Sequence, residues 1–136
     1  MKFDDVMQAF FHVACDSPFN NEAAVSRKTG KVYFMSDDYQ EELPEDIWDN
    51  SKYISVPHWN ELGMDTRLVF NFARECIPEA YDKIREIFSR KGGYRRFRVF
   101  LIKTETLQLW YDYENKKQEE VVRKWCLENE ISIDDE

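Results

Sequence analysis

Residues 80–103 read AYDKIREIFSRKGGYRRFRVFLIK, and the spacing within them decides the fold class. Ala80, Tyr81, Ile84, Ile87 and Phe88 recur at i, i+1, i+4, i+7 and i+8, which lines them along one face of an α-helix. Gly92-Gly93 stops that helix, because glycine takes the left-handed cap conformation without a steric penalty. Tyr94, Phe97, Phe100 and Leu101 share the next face, so a short helix is predicted over 94–103. Upstream, Leu68, Val69, Phe72 and Cys76 form an earlier stripe in a helix that begins near Met64 and is cut at Pro78. Downstream, a longer helix is predicted over about 105–129, with Trp110, Val121, Val122 and Trp125 on one face, after which Ile131 returns to the core.

The N-terminal half has a different period. Phe3, Val6, Met7, Phe10, Phe11 and Ala14 predict an amphipathic helix over 2–15, broken by Ser17-Pro18 and Asn20-Asn21. Residues 22–28 and 31–36 flank Thr29-Gly30 and read as a β-hairpin, the glycine supplying the turn dihedral. Residues 52–56, KYISV, read as a third strand closed by Pro57. Pro44 is placed to open a short helix between the second and third strands. One helix, three strands and then a run of helices indicate an α+β fold. The expected architecture is a small three-stranded antiparallel sheet with an N-terminal helix and a C-terminal run of about four helices, all in one domain over 1–136. Residues 134–136 are expected to fray.

Charge is divided unevenly. The net charge is −8. Residues 1–78 hold 7 Lys and Arg against 14 Asp and Glu, whereas residues 83–103 hold 8 Lys and Arg against Glu86 alone. An acidic surface overall disfavours nucleic acid, which makes the basic segment the anomaly. The acidic stretch 37–49 lacks the ligand pattern and terminal Glu of a calcium loop. It reads as a solvated loop that guards a sheet edge. Cys15, Cys76 and Cys126 are odd in number and widely spaced, which argues against a disulfide framework and against zinc. Each sits in an apolar helical pattern, so all three are expected to be buried thiols of a reducing, cytoplasmic compartment. The N-terminus MKFDDVMQAFF has early acids and no long apolar run, unlike a signal peptide, and no segment is apolar enough to span a membrane.

GGYRRFRVFL, LQLWYDY and VVRKWCLENEI, with KTGKVYF and YISVP before them, resemble a family of uncharacterised small bacterial proteins. The resemblance rests on Gly92, Tyr94, Arg95, Arg96, Phe97 and Arg98, then Trp110 and Tyr113, then Trp125 and Ile131, with Met64 and Asp65 after the third strand. It runs from about residue 5 to residue 131. Gly93 and Cys126 stand where the family carries alanine and leucine. The resemblance implies the fold and a bacterial cytosolic origin, and it brings no catalytic residue.

Three functional readings follow. The first is a non-catalytic interaction protein with a basic face near Gly92, Gly93, Arg95, Arg96 and Arg98. A helix starting after two glycines exposes backbone N–H groups, and arginines beside them suit a phosphate-bearing ligand or an acidic protein. Two features limit this reading. Arg95 and Arg96 oppose the helix dipole by about 0.3–1 kcal/mol each. At about 100° per residue, Arg95, Arg96 and Arg98 also cannot converge on one small ligand. The chain's own carboxylates offer these arginines internal partners, and that structural reading outweighs the binding one. The second is a small enzyme using His58 with a nearby carboxylate or thiol; His12 is the only other histidine, and no catalytic or phosphate-loop motif occurs. The third is a nucleic-acid-binding module that stacks bases on Trp110, Tyr111 and Trp125, although those rings also fit a core face. No cofactor or metal is expected. A homodimer is compatible with the first reading.

Overall fold

The computed structural model describes residues 2–15, 20–37 and 42–133. The chain opens with helix α1 (Phe3–Ala14), continues through strands β1 (Glu22–Ser26), β2 (Val32–Met35) and β3 (Tyr53–Ser55), and closes with helices α2 (Thr66–Cys76), α3 (Tyr81–Ile87), α4 (Gly93–Lys103) and α5 (Leu107–Glu128). This is an α+β fold with an N-terminal helix, a three-stranded antiparallel sheet and four C-terminal helices. Short 3-10 turns at Trp59–Leu62 and Pro78–Ala80 interrupt the run. The expected frayed end, residues 134–136, lies outside the described residues. None of the described helices is long and apolar enough to cross a membrane.

The chain forms two compact units, Met1–Leu62 with Glu119–Glu136, and Gly63–Gln118. In the first unit the strand order is β2-β1-β3, so β1 is central. Ala24 lies opposite Tyr33 on one side and Ser55 on the other. Ala23 to Ser26 are all buried. Gly30 takes φ 77° in the hairpin turn, as expected of the left-handed region. Helix α1 covers the sheet. His12 Nε2 donates to the Met35 carbonyl at 3.0 Å, and Phe10 packs edge-on against Trp125 at 5.2 Å and stacks on Trp59 at 4.9 Å.

The Pro44 helix does not form. Residues 45–48 make turns closed by Ile47 N–H to Pro44 O and Asp49 N–H to Asp46 O. The Asp49 carboxylate then captures the Ser51 N–H and hydroxyl, which turns the chain into β3 instead of propagating a helix.

The second unit is a helical core. Leu68, Val69, Phe72 and Ala73 of α2 meet Ile84 and Ile87 of α3, Phe97 and Leu101 of α4, and Trp110 of α5. Phe97 and Phe72 each approach Trp110 edge-on at 5.2 Å. Asp65 caps α2 by accepting from the Arg67 N–H at 2.9 Å, and the Arg67 guanidinium holds its carboxyl below the usual range. Two expected core positions are exposed: Tyr94, in the first turn of α4, is 54% exposed although its ring meets Phe88 edge-on at 5.1 Å, and Cys15, the residue that ends α1, is exposed. Cys76 is half-buried and Cys126 fully buried. Burial pushes the Cys126 thiol up to about 11, against the pull of Arg123.

Candidate functional site

The basic segment 83–103 folds back on itself as α3, a turn through residues 88–92, and α4. Gly92 makes the turn possible. Its φ of +80° is left-handed, where a side chain is strained. Gly93 has a different reason. A Cβ there would stand 2.6 Å from the Phe88 ring, so the helix can start this close to Phe88 only with glycine.

Neighbouring arginines have different surroundings. Arg96 reaches back to the end of α3 and donates to the carbonyls of Ile87 at 2.6 Å, Arg90 at 2.8 Å and Lys91. A guanidinium over the C-terminal carbonyls of a helix satisfies orphan acceptors and complements the dipole. Its internal partners are therefore main-chain carbonyls, not carboxylates. Arg95 is exposed and, among the described residues, its side chain has no hydrogen bond or ion pair. Arg98 is exposed within electrostatic reach of Glu114 on α5. Burial raises the Glu114 carboxyl above its usual range, and Arg98 opposes this. The five residues Gly92, Gly93, Arg95, Arg96 and Arg98 thus share a turn without sharing a site.

A groove does form between the two helices. From the α3 side it is lined by Lys83, Glu86, Ile87 and Arg90, and from α4 by Arg96, Val99, Phe100 and Lys103. On α4 the lining residues run i, i+3, i+4, i+7, with Val99 and Phe100 between Arg96 and Lys103; on the other side Lys83, Glu86 and Ile87 come from α3 and Arg90 from the turn that follows it. Arg96 and Lys103 are separated by about 10 Å along α4. Ile87 is the buried floor, Phe100 is half-buried, and Val99 is exposed. The groove encloses about 220 Å³. Lys83 reaches Glu86 at 3.7 Å. Among the described residues, the side chains of Arg90 and Lys103 have no hydrogen bond or ion pair. Lys83, Arg90 and Lys103 were not singled out from the sequence; the seven-residue spacing of 83 to 90 and 96 to 103 is the signal that marks them.

A second polar cleft lies at the hairpin end, with Arg27, Lys28 and Lys52 beside Tyr33 and Tyr53. Two of its three cations are committed: Arg27 donates to the Asn50 carbonyl at 2.8 Å, and Lys52 pairs with Asp46 at 2.9 Å. His58 is likewise occupied locally. Its Nδ1 accepts from the Asn60 N–H at 3.0 Å, and Glu61 accepts from the His58 backbone N–H at 2.9 Å, which together cap the 3-10 turn. Trp110 and Trp125 are both buried, and Tyr111 is half-buried. Of the residues singled out in sequence, Gly92 makes the turn, Arg96 binds carbonyls, and Phe97, Trp110, Trp125 and Ile131 are buried, whereas Tyr94, Arg95 and Arg98 are exposed. No group of His, Cys, Asp and Glu among the described residues is arranged to hold a metal ion. No family model, no curated protein and no solved structure matches the chain.

Proposed function

We propose that the protein is a non-catalytic interaction module whose groove between α3 and α4 takes an acidic, partly apolar polypeptide segment. The observation that carries this reading is the groove's lining, in which Arg90 and Lys103, with Lys83 paired to Glu86, stand around Ile87, Val99 and Phe100. Cations alone would suit any polyanion. An apolar centre between them suits a chain that alternates carboxylates with an apolar side chain. The groove's 220 Å³ falls below the roughly 300–1,000 Å³ of small-molecule sites, which favours one inserted side chain over a whole ligand. A net charge of −8 works against a nucleic-acid backbone. The buried thiol of Cys126 fits a reducing, cytoplasmic setting.

The test is fluorescence anisotropy with a labelled peptide that alternates glutamate with leucine, competed by heparin, single-stranded RNA or inorganic phosphate. Binding should weaken steeply with salt and be lost in an Arg90→Glu, Lys103→Glu variant whose circular dichroism matches the parent. Unchanged peptide binding in that variant rejects the groove. Groove-dependent binding of RNA in preference to the peptide supports the nucleic-acid reading instead.

A further inference from the structure

We infer that a second copy of this chain supplies an occupant for the groove, through the exposed acidic strip Glu42–Asp49 centred on Trp48. This rests on the groove being a binding site for acidic, apolar segments. The strip carries an anomaly of its own. Trp48 is 60% exposed, and an indole left in water is an unused source of association energy. Leu43, five residues earlier in the chain, is also exposed, and Glu42, Glu45 and Asp49 flank these two positions in sequence. Asp46 is taken up by Lys52, and Asp49 by Ser51. Among the described residues, Glu42 and Glu45 have no ion pair, so their charge is available.

The two surfaces are complementary in sign. The strip holds Glu42 and Glu45 near the apolar Leu43 and Trp48 along the chain; the groove holds Arg90 and Lys103 about the apolar Ile87, Val99 and Phe100, with Glu86 paired to Lys83 and Arg96 held on backbone carbonyls. The groove has room for one large side chain, and its cations can lie over an indole face. Two copies that exchange strip for groove reciprocally close as a two-fold dimer with both patches used twice. Opposite charges meeting across such a contact make it sensitive to ionic strength.

The experiment is sedimentation velocity on the full chain across a concentration series at low and high salt, with three variants. The parent should form a dimer at low salt and dissociate at high salt. Glu42→Lys with Glu45→Lys, Trp48→Ala alone, and Arg90→Glu with Lys103→Glu should each lose the dimer while keeping the parent's circular dichroism. Mixing the strip variant with the groove variant should restore association, because one retains an intact groove and the other an intact strip. A parent that stays monomeric throughout, strip variants that dimerise like the parent, or a mixture that stays monomeric would each overturn the inference. A monomeric parent that still binds the acidic peptide removes only the second copy as partner. A monomeric parent that binds no peptide removes the groove reading as well.

Discussion

Replacing Arg96 with alanine should destabilise the second unit, while the same change at Arg95 should not. Arg96 donates to three carbonyls, of which the Ile87 carbonyl is part-buried and the other two are exposed. Losing a charged donor at a part-buried acceptor costs about 1.5–3 kcal/mol. The exposed carbonyls recover water and add at most about 0.5 kcal/mol each. Loss of the cation at the end of α3 adds about 0.3–1 kcal/mol. One effect runs the other way: the buried Arg96 Nε has no partner, and removing it returns about 1 kcal/mol. The net cost is about 2 kcal/mol, or a fall of about 6–10 °C in Tm for a chain of this size. Arg95 is exposed, and its replacement should stay within about 0.5 kcal/mol. Arg96→Lys should fall between, because a single ammonium cannot span three acceptors as a planar fork does. Thermal melts by circular dichroism give the comparison. If Arg96→Ala and Arg95→Ala melt within about 2 °C of each other, the carbonyl clamp contributes nothing and the reasoning fails.

Further outcomes follow from other contacts. Gly93→Ala should lower Tm by overpacking Phe88, at a cost of about 1–3 kcal/mol set against a helix-propensity gain of up to about 1 kcal/mol, and Phe88→Leu in the same chain should recover part of the loss; a Gly93→Ala more stable than the parent would disprove the close approach. Trp125→Ala, which removes the ring against Phe10, should cost about 3–5 kcal/mol, and a melt near the parent's would remove α5 from the first unit's core. In native protein at neutral pH, alkylation followed by peptide mapping should modify Cys15 first and Cys126 last; early labelling of Cys126 contradicts its burial and its raised pKa of about 11. Glu114→Gln bears on pH dependence. The folded-state pKa of Glu114 is raised above the usual 4.5, so its contribution to stability is greatest below 4.5 and declines as pH rises through the folded value. The glutamine variant should therefore be more stable than the parent at neutral pH, with the gap closing as pH falls below 4.5; a less stable variant at neutral pH would mean that the attraction to Arg98 dominates.

Periodicity reports which face of an element is apolar, and it was sufficient for the elements. The stripe from Ala80 to Phe88, the stop at Gly92, the alternation around Thr29-Gly30 and the pattern carrying Trp110 and Trp125 all follow from repeats of two or 3.6 residues. These are local properties, and the α+β order follows from them. Which strand is central is not local. Ala23 and Ala24 have weak strand propensity, and β1 is central because β2 and β3 both pair with it under cover of α1. The fate of Pro44 was not local either, since the Asp49 carboxylate's capture of Ser51 competes with helix growth.

The basic segment divides along the same line. Its composition and its glycine break were readable in sequence, and so was the conflict between its arginines and the helix dipole. Arg95 and Arg96 are the same residue type in adjacent positions, and no sequence rule separates them. Tertiary structure does so by placing the carbonyl end of α3 within reach of one and leaving the other in solvent. The groove arises in the same way. Lys83 with Arg90, and Arg96 with Lys103, are each a pair of cations seven residues apart along the chain. They become one lining only because the turn at Gly92 brings α4 back beside α3, and a contact between helices depends on that path through space, which residue spacing within either helix does not contain.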